Sequence, residues 1–312
     1  CSRIYHLVGK DSAFDQRIIG WRNRLRELHR GQKGPAEIVS LEHLLHEQRL
    51  IKSSSEIRCM RRAATISASA MARAMRACKP GMNEAEVVAE LIHEYQRNAC
   101  PTAYMPIVAG GANALTLHYV TNDQPLPDDG LLLIDAGCEY QGYAADISRT
   151  FPVNGRFSAA QREVYEVVLA AQTAAIDKVR PGESFEAYHE AAVSVLTRGL
   201  IDLGLLSGDL DGNIEQKSYQ RYYMHKTGHW LGLDVHDVGD YRIDEMSRVL
   251  ETNMVVTVEP GLYIGCDDDI PKALRGIGIR IEDDIRVGTD GPDNLTSAVP
   301  SDADEIERMM GG

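Results

Sequence analysis

Apolar residues recur at the three- and four-residue spacing of an amphipathic helix in several long stretches of the chain. One such stretch, rich in alanine, methionine and arginine, runs to about Cys78, and Ser53 and Glu56 are placed to form a capping box at its start. In two places, at 79–83 and at 180–184, a Pro-Gly step ends one helix and a capping residue begins the next. This repeated punctuation predicts an internal duplication of a helix–helix–strand unit.

Strand-like runs follow each helix pair. Residues 130–137 and 143–153 flank a short turn, and residues 254–264 and 276–287 flank a polar loop. Runs of helices followed by runs of strands are typical of an α+β domain. We therefore predict an α+β fold in which two related halves are built around an antiparallel sheet.

The first fifty residues differ from the rest, because they carry little periodicity and many basic residues. We expect residues 1–50 to be the C-terminal remnant of an N-terminal domain and residues 51–312 to form the catalytic domain. The chain begins with Cys1 instead of methionine. A truncated chain explains that start better than a lipid-modified mature N-terminus does.

Charge and cysteine content narrow the classes of function. The chain has 33 Lys and Arg residues against 46 Asp and Glu residues, and its net charge of −13 repels phosphate backbones and anionic membranes, so we expect neither as a partner. The six cysteines have no Cys-x-x-Cys spacing, which argues against zinc-ribbon and thioredoxin-like sites. We interpret them as free thiols in a reducing, cytoplasmic compartment. No apolar stretch is long enough to predict a transmembrane helix.

Two aspartates stand on the first pair of predicted strands. Asp135 and Asp146 centre on a turn at Tyr140 and Gln141, which predicts that they lie opposite each other on one face of a hairpin. Adjacent carboxylates repel, and burial on apolar strands increases that cost, so a bound cation would stabilise the pair. The alternative is two unrelated surface aspartates, which the apolar run before Asp135 disfavours.

Two glutamates repeat this arrangement on the second pair of strands. Glu259 and Glu282 stand in apolar runs, and charged residues are seldom buried without a partner. Arg280 lies two residues before Glu282 and faces the same side of the strand, so we expect it to pair with one of the carboxylates. A solvated strand end is the alternative for residues 282–284.

Histidines supply the third part of the pattern. His225, His229 and His236 fall within HKTGHWLGLDVHDVG, where the glycines favour a strand or a loop over a helix, and His118 is a fourth candidate. Four carboxylates and one imidazole suit Mn²⁺, Co²⁺, Fe²⁺ or Zn²⁺. Five ligands exceed the need of one catalytic ion, so we predict two ions about 3.5–4 Å apart.

From about residue 51 to 310 the chain resembles the pita-bread metallopeptidases, the family of aminopeptidase P, prolidase and methionine aminopeptidase. The motifs IDAG, DISRTFPV, HWLG, VEPGLYI and IRIEDD carry this resemblance. It implies a pseudo-twofold catalytic domain with two divalent ions, Mn²⁺ being the expected metal. It also implies the ligands: Asp135 for one ion, His229 and Glu259 for the other, and Asp146 and Glu282 as bridges.

The resemblance extends to groups that do not bind metal. His118, His225 and His236 match active-site histidines that contact substrate, while Tyr263 and Arg280 match positions outside the ligand set. HWLGLDVHDVG followed by TVEPGLYI is most similar to aminopeptidase P. This implies that the substrates are peptides with proline in second position and that a bridging hydroxide attacks the bond before that proline. The resemblance also allows a homo-oligomer.

Other functions are compatible with the same residues. Prolidase, which cleaves Xaa-Pro dipeptides, would use the same ligands. A peptide-binding module on this fold, or a folate- or creatine-directed hydrolase, would not need the full ligand set. One departure from the family pattern is Lys226, which follows His225 where a small residue is usual and could alter the edge of the pocket.

Overall fold

The computed structural model describes residues 2–28 and 34–311, and the chain divides into two units, Cys1–Arg49 and Leu50–Gly312. In the first unit two strands pair in parallel. Its elements are β1 (Arg3–His6), α1 (Ser12–Leu28), β2 (Glu37–Ser40) and α2 (Glu42–Leu50). The helix α2 ends at Leu50, the first residue of the second unit. It stays a prediction that the first unit is the remnant of an N-terminal domain and that the second unit is the catalytic domain.

The second unit begins with a pair of helices, α3 (Ser54–Ala77) and α4 (Glu84–Arg97). Each starts at a capping box, formed by Ser53 with Glu56 and by Asn83 with Glu86. Gly81 adopts a φ of 80°, in the left-handed region that glycine tolerates, where the chain turns between the helices. The Pro-Gly punctuation therefore has the physical role that the sequence predicted.

A three-stranded antiparallel sheet follows, in the order β3-β4-β7, with a small hairpin of β5 and β6 at its turn. A 3-10 turn, Gly111–Leu115, follows the first strand. The strands are β3 (Ile107–Gly110), β4 (Leu131–Asp135), β5 (Glu139–Tyr140), β6 (Tyr143–Ala144) and β7 (Ser148–Pro152).

The predicted turn of this hairpin was wrong by one residue, which displaces the strand pairing by two residues. The turn lies at Gln141 and Gly142, whose φ angles of 52° and 85° are both left-handed, as the tight hairpin turn requires. Asp135 consequently pairs with Ser148 and not with Asp146. Asp146 precedes Ser148 by two residues, so it is a diagonal neighbour of Asp135 on the same face of the hairpin.

A second helix pair repeats the first. Ser158 and Gln161 form a capping box at one helix, and Ser184 caps the other by accepting from the Ala187 N–H. A short helix, a 3-10 turn (Ser218–Arg221) and an exposed hairpin follow. These elements are α5 (Ala159–Ile176), α6 (Phe185–Asp202), α7 (Leu210–Glu215), β8 (Arg242–Ile243) and β9 (Met246–Ser247).

The last strands form a second antiparallel system, in which the order is β10-β13-β14 and β11 pairs with β12. A 3-10 turn, Lys272–Leu274, lies between β11 and β12. The elements are β10 (Val255–Val258), β11 (Gly261–Tyr263), β12 (Gly278–Arg280), β13 (Asp283–Val287), β14 (Pro292–Asn294) and the final helix α8 (Ala303–Met310). The α+β class with antiparallel sheets is confirmed.

The registers of these strands place the two glutamates together. Val258 pairs with Asp283 on one side and Gly261 pairs with Arg280 on the other. Both pairings follow one register, which places Glu259 across from Glu282.

None of the helices among residues 2–28 and 34–311 combines the length and apolar character needed to cross a bilayer. Five cysteines in the same residues are free thiols: Cys59, Cys78, Cys100, Cys138 and Cys266.

Candidate metal centre and catalytic cavity

A cavity of about 360 Å³ lies where the two strand systems meet. Their contact includes a backbone hydrogen bond of 3.0 Å from the Glu282 N–H to the Ser148 carbonyl. Nine of the ten site residues predicted from sequence line this cavity, and Tyr263 lies behind it. The full lining is Leu117, His118, Asp135, Asp146, His225, Lys226, Gly228, His229, His236, Tyr241, Glu259, Arg280 and Glu282.

Three of these side chains are close enough to share one cation. His229 Nε2 lies 3.5 Å from Asp146 Oδ2 and 3.7 Å from Glu259 Oε1. Asp146, His229 and Glu282 each offer one ligand atom, and these atoms lie within 4.8 Å of one another. The separation is that of ligands around a single ion, and Asp135 and Glu259 extend the donor set along the same cavity.

The orientation of His229 follows from the strand beside it. Its Nδ1 lies 2.9 Å from the Trp230 carbonyl, which can only accept, so Nδ1 carries a proton and Nε2 is the nitrogen that faces the carboxylates. Its backbone N–H donates to Thr257 Oγ1 at 3.1 Å. A Cβ at Gly228 would lie 1.9 Å from the Thr257 carbonyl, so glycine is what lets this segment approach β10.

The electrostatics of the cluster indicate a deficit of positive charge. Burial raises the pKa of Glu259 to about 7 and, with the neighbouring carboxylates, raises that of Glu282 well above its usual value. Burial alone would lower the pKa of His229, but Asp146 and Glu259 raise it to about 9. A carboxylate-rich cluster of this kind fits divalent cations, which supply the missing charge.

Arg280 pairs with one carboxylate directly and reaches another through a serine. Its Nη2 donates to Asp135 Oδ2 at 2.6 Å, and its Nε donates to Ser148 Oγ at 3.0 Å. Ser148 Oγ in turn donates to Glu282 Oε2 at 2.7 Å. The sequence predicted the arginine but missed Ser148, although its position two residues after Asp146 on the same strand face was a usable signal.

Tyr104 is another site residue that the sequence did not predict. Its hydroxyl donates to Asp135 Oδ1 at 2.6 Å and also contacts Asp146 Oδ1. The hydroxyl has one proton and can donate it to only one of these two carboxylates at a time. The other carboxylate therefore needs a shared proton or a cation. Tyr104 lies in a loop between α4 and β3, and no periodicity marks it in the sequence.

His225 belongs to a chain of hydrogen bonds behind the cavity. Its Nδ1 lies 2.8 Å from the Lys226 carbonyl, so Nδ1 is the donor and Nε2 accepts from the Tyr263 hydroxyl at 2.9 Å. The Tyr263 oxygen accepts from Arg280 Nη1 at 2.9 Å. Burial lowers the pKa of His225 to about 4, so the ring is neutral.

The remaining two histidines occupy other walls of the cavity. The His236 ring meets the His229 ring edge to face, with 4.3 Å between the centroids. Burial, and then the charge of His229, lowers the pKa of His236. His118 is exposed, next to Leu117, on the loop that follows the 3-10 turn. Neither ring belongs to the group of three potential ligands.

A buried glutamate outside the cavity holds the loop that carries His118. The Glu84 carboxylate accepts from the Gly110 N–H at 2.8 Å, from Asn113 Nδ2 at 2.9 Å, from the Tyr119 hydroxyl at 2.9 Å and from the Gln124 N–H at 3.0 Å. Its side chain is fully buried, so these four donors replace water. The loop is therefore fixed at points before and after His118.

Comparison with known proteins places this geometry in a family. Residues 58–289 match the model of metallopeptidase family M24. The chain is 50% identical over 88% of its length to an Xaa-Pro aminopeptidase from Haemophilus influenzae, of which it spans 64%. It is 45% identical over 98% of its length to an Xaa-Pro aminopeptidase from Escherichia coli, of which it spans 70%.

Solved structures agree with the sequence comparison. The structure of a Pseudomonas aeruginosa aminopeptidase is similar to this one with a TM-score of 0.94 at 50% identity, covering 99% of this chain and 71% of that one. The pita-bread fold expected from the resemblance is thereby confirmed. Together, the family match and the identity over most of the chain show that this protein belongs to metallopeptidase family M24.

Proposed function

We propose that this chain is the catalytic part of a metal-dependent Xaa-Pro aminopeptidase, which hydrolyses the bond between an N-terminal residue and a following proline. The observation that carries the proposal is the meeting of four carboxylates and His229 in one cavity. Similarity to proteins named Xaa-Pro aminopeptidase supports the choice of substrate class. A cytoplasmic location and a homo-oligomeric assembly stay predictions.

The ligand roles in this proposal are the ones that the resemblance implied. Asp135 would hold one ion, His229 and Glu259 would hold the other, and Asp146 and Glu282 would serve both. The position of His229 Nε2, 3.5 Å from Asp146 Oδ2 and 3.7 Å from Glu259 Oε1, supports this division. The expected metal is Mn²⁺, with Co²⁺, Zn²⁺ or Fe²⁺ as alternatives. Two such ions would lower the pKa of a bound water and would act as a Lewis acid for amide hydrolysis.

The other side chains have roles that their contacts support. Arg280 holds Asp135 in place through its ion pair, and Ser148 orients Glu282 through its hydroxyl. His118 and His236 line the cavity outside the group of three potential ligands, so they are available to hydrogen-bond the peptide and the oxygen that gains charge during the reaction. His225 lines the same cavity, but its two ring nitrogens already contact the Lys226 carbonyl and the Tyr263 hydroxyl, so it would contact the peptide by exchanging one of these partners.

The test uses peptides that differ only at the second residue. The metal-loaded chain should release the first residue of Xaa-Pro-Xaa, and replacing that proline by alanine should reduce turnover strongly. Equal rates on the two peptides would move the chain to the general aminopeptidases. Cleavage of Xaa-Pro dipeptides alone would identify a prolidase, and no cleavage of any of the three would leave the peptide-binding alternative.

A further inference from the structure

A buried ion pair lies one residue away from His236. Lys52 Nζ is 3.3 Å from Asp237 Oδ2, and both side chains are 1% exposed. Lys52 precedes α3, while Asp237 follows His236 at the end of a loop, so the pair joins parts of the chain that are 185 residues apart. A Cβ at Gly232 would lie 2.1 Å from Asp237 Oδ2 and 3.1 Å from Lys52 Cε, so glycine is what leaves room for the pair.

The His236 side chain depends on its backbone for its position. The residue is exposed, and its ring packs edge to face on His229. Within residues 2–28 and 34–311, no hydrogen bond joins the His236 ring to another group. Such a side chain follows the backbone that carries it, and consecutive Cα atoms are about 3.8 Å apart. The position of Asp237 therefore limits where the His236 ring can lie.

The loop between Trp230 and Asp237 is held by different contacts at its two ends. At the start, the Leu231 N–H donates to the Val255 carbonyl of β10 at 3.1 Å. At the end, the Asp237 N–H donates to the Trp230 carbonyl at 2.9 Å, and the Asp237 carboxylate lies against Lys52. The start of the loop is thus part of a strand pairing, whereas its end is fixed by Asp237.

An ion pair at this depth is poorly explained by stability alone. Removing two charges from water costs about as much free energy as their attraction provides, so apolar side chains of similar volume often stabilise a protein equally well. Once the pair is buried, however, any displacement that separates the two charges is costly. The pair of Lys52 and Asp237 can therefore fix one arrangement of the end of the loop.

His229 is positioned by other contacts. Its Nδ1 donates to the Trp230 carbonyl at 2.9 Å, and its backbone N–H donates to Thr257 Oγ1 at 3.1 Å. Thr257 lies in β10, and Trp230 forms a bridge with Val256 of the same strand. Displacing the end of the loop should therefore move His236 and leave His229 in place.

We propose that Lys52 and Asp237 are positioning residues for His236, which hold its ring where it can donate to the substrate oxygen that gains charge. This inference rests on the proposed function, in which His236 has that role. Neither Lys52 nor Asp237 lines the catalytic cavity, so an effect of the pair on turnover has to pass through the loop.

The test removes both charges and compares the effect with and without His236. The double variant Lys52→Met/Asp237→Asn nearly conserves the side-chain volumes and leaves no buried charge without its partner, so it avoids the folding defect expected of Lys52→Met alone. It is made in the parent and in His236→Ala. Leu200→Ala, on the buried face of α6, is the control for lost stability. Metal content, and kcat and KM on an Xaa-Pro-Xaa peptide, are measured for each protein.

In the parent, the double variant should lower kcat about tenfold with KM within about twofold and metal content unchanged, because a misplaced donor costs turnover more than binding. In His236→Ala it should cause no further loss, because the group through which it acts is gone. Four results would overturn the proposal: unchanged kcat in the parent, an equal fold loss in the two backgrounds, loss of metal, or an equal loss of kcat in Leu200→Ala.

A readout apart from activity separates this inference from the proposed function. In Zn²⁺-loaded protein labelled on histidine, the NMR signal of the His236 ring is identified by its absence in His236→Ala. It should shift or split in the double variant and stay in place in Leu200→Ala. An unmoved signal in the double variant would overturn the positioning role even if kcat falls. A parent that cleaves no Xaa-Pro peptide would instead overturn the proposed function, and the ring signal would still decide whether the pair positions His236.

Discussion

His229 Nε2 faces Asp146 Oδ2 across 3.5 Å, while the opposite ring nitrogen is fixed by the Trp230 carbonyl at 2.9 Å. The ring cannot turn Nε2 elsewhere without losing that hydrogen bond. His229 is thus oriented as a ligand by its own backbone segment, and His236, although it packs against the same ring, is not.

This difference predicts opposite outcomes for two alanine variants. His229→Ala should lose bound metal, because it removes the nitrogen donor of the cluster. His236→Ala should keep its metal and lose about 10²–10³ in kcat, the usual effect of removing one donor to a developing oxyanion. Metal analysis and steady-state kinetics on both variants provide the check. Loss of metal in His236→Ala with retention in His229→Ala would reverse the assignment.

A second prediction concerns the ion pair of Arg280 with Asp135, whose side chains are 5% and 14% exposed. Arg280→Met should lower the free energy of unfolding of the metal-free chain by about 3–5 kcal/mol, because it leaves a buried carboxylate without its partner. Added Mn²⁺ should recover part of that loss by supplying charge at the same carboxylate. Denaturant unfolding with and without Mn²⁺ measures both effects. A metal-free variant as stable as the parent would show that the pair is not holding Asp135.

A third prediction concerns Glu84. Glu84→Gln places an amide N–H₂ among four donors and should loosen the loop that carries Leu117 and His118, because donors then face donors. We expect KM for Xaa-Pro peptides to rise several-fold with metal content unchanged. Glu86→Gln is the control, since it lies on the same helix and glutamine still completes a capping box. Equal kinetics in the two variants would remove the positioning role of Glu84.

A fourth prediction concerns the dependence of stability on pH. Burial, and then Lys226, lowers the pKa of His189 from 6.5 to about 4. The unfolded chain therefore binds more protons than the folded chain between these values. The contribution of a neutral His189 is complete above pH 6.5 and is lost as pH falls towards 4. His189→Gln cannot titrate, so its denaturation midpoint should fall less than that of the parent over this interval. Parallel slopes for the two proteins would contradict the assignment.

The parts of the fold and site that the sequence could predict are those that follow from local patterns. Asp135 and Glu259 were identifiable because a carboxylate within an apolar strand needs a partner. Capping residues and Pro-Gly steps marked the helix pairs because their signals lie within a few residues. The ligand roles themselves stay proposals.

The parts that could not be predicted depend on tertiary placement or on turn conformation. The hairpin turn was placed one residue too early because the sequence does not show that Gln141 would adopt a left-handed conformation beside Gly142. Tyr104 lies in a loop and Glu84 lies at the start of a helix. No pattern in the sequence around them shows which groups their side chains contact. Their contacts exist only once helices, loops and strands have packed together.

The central claim is that two divalent ions in this cavity are required for cleavage before proline. Its most direct test is to titrate the metal-free chain with Mn²⁺ while following both bound metal and hydrolysis of an Xaa-Pro-Xaa peptide. We expect no hydrolysis without metal and maximal hydrolysis when two ions are bound per chain. Full hydrolysis by a chain that holds no metal would contradict it.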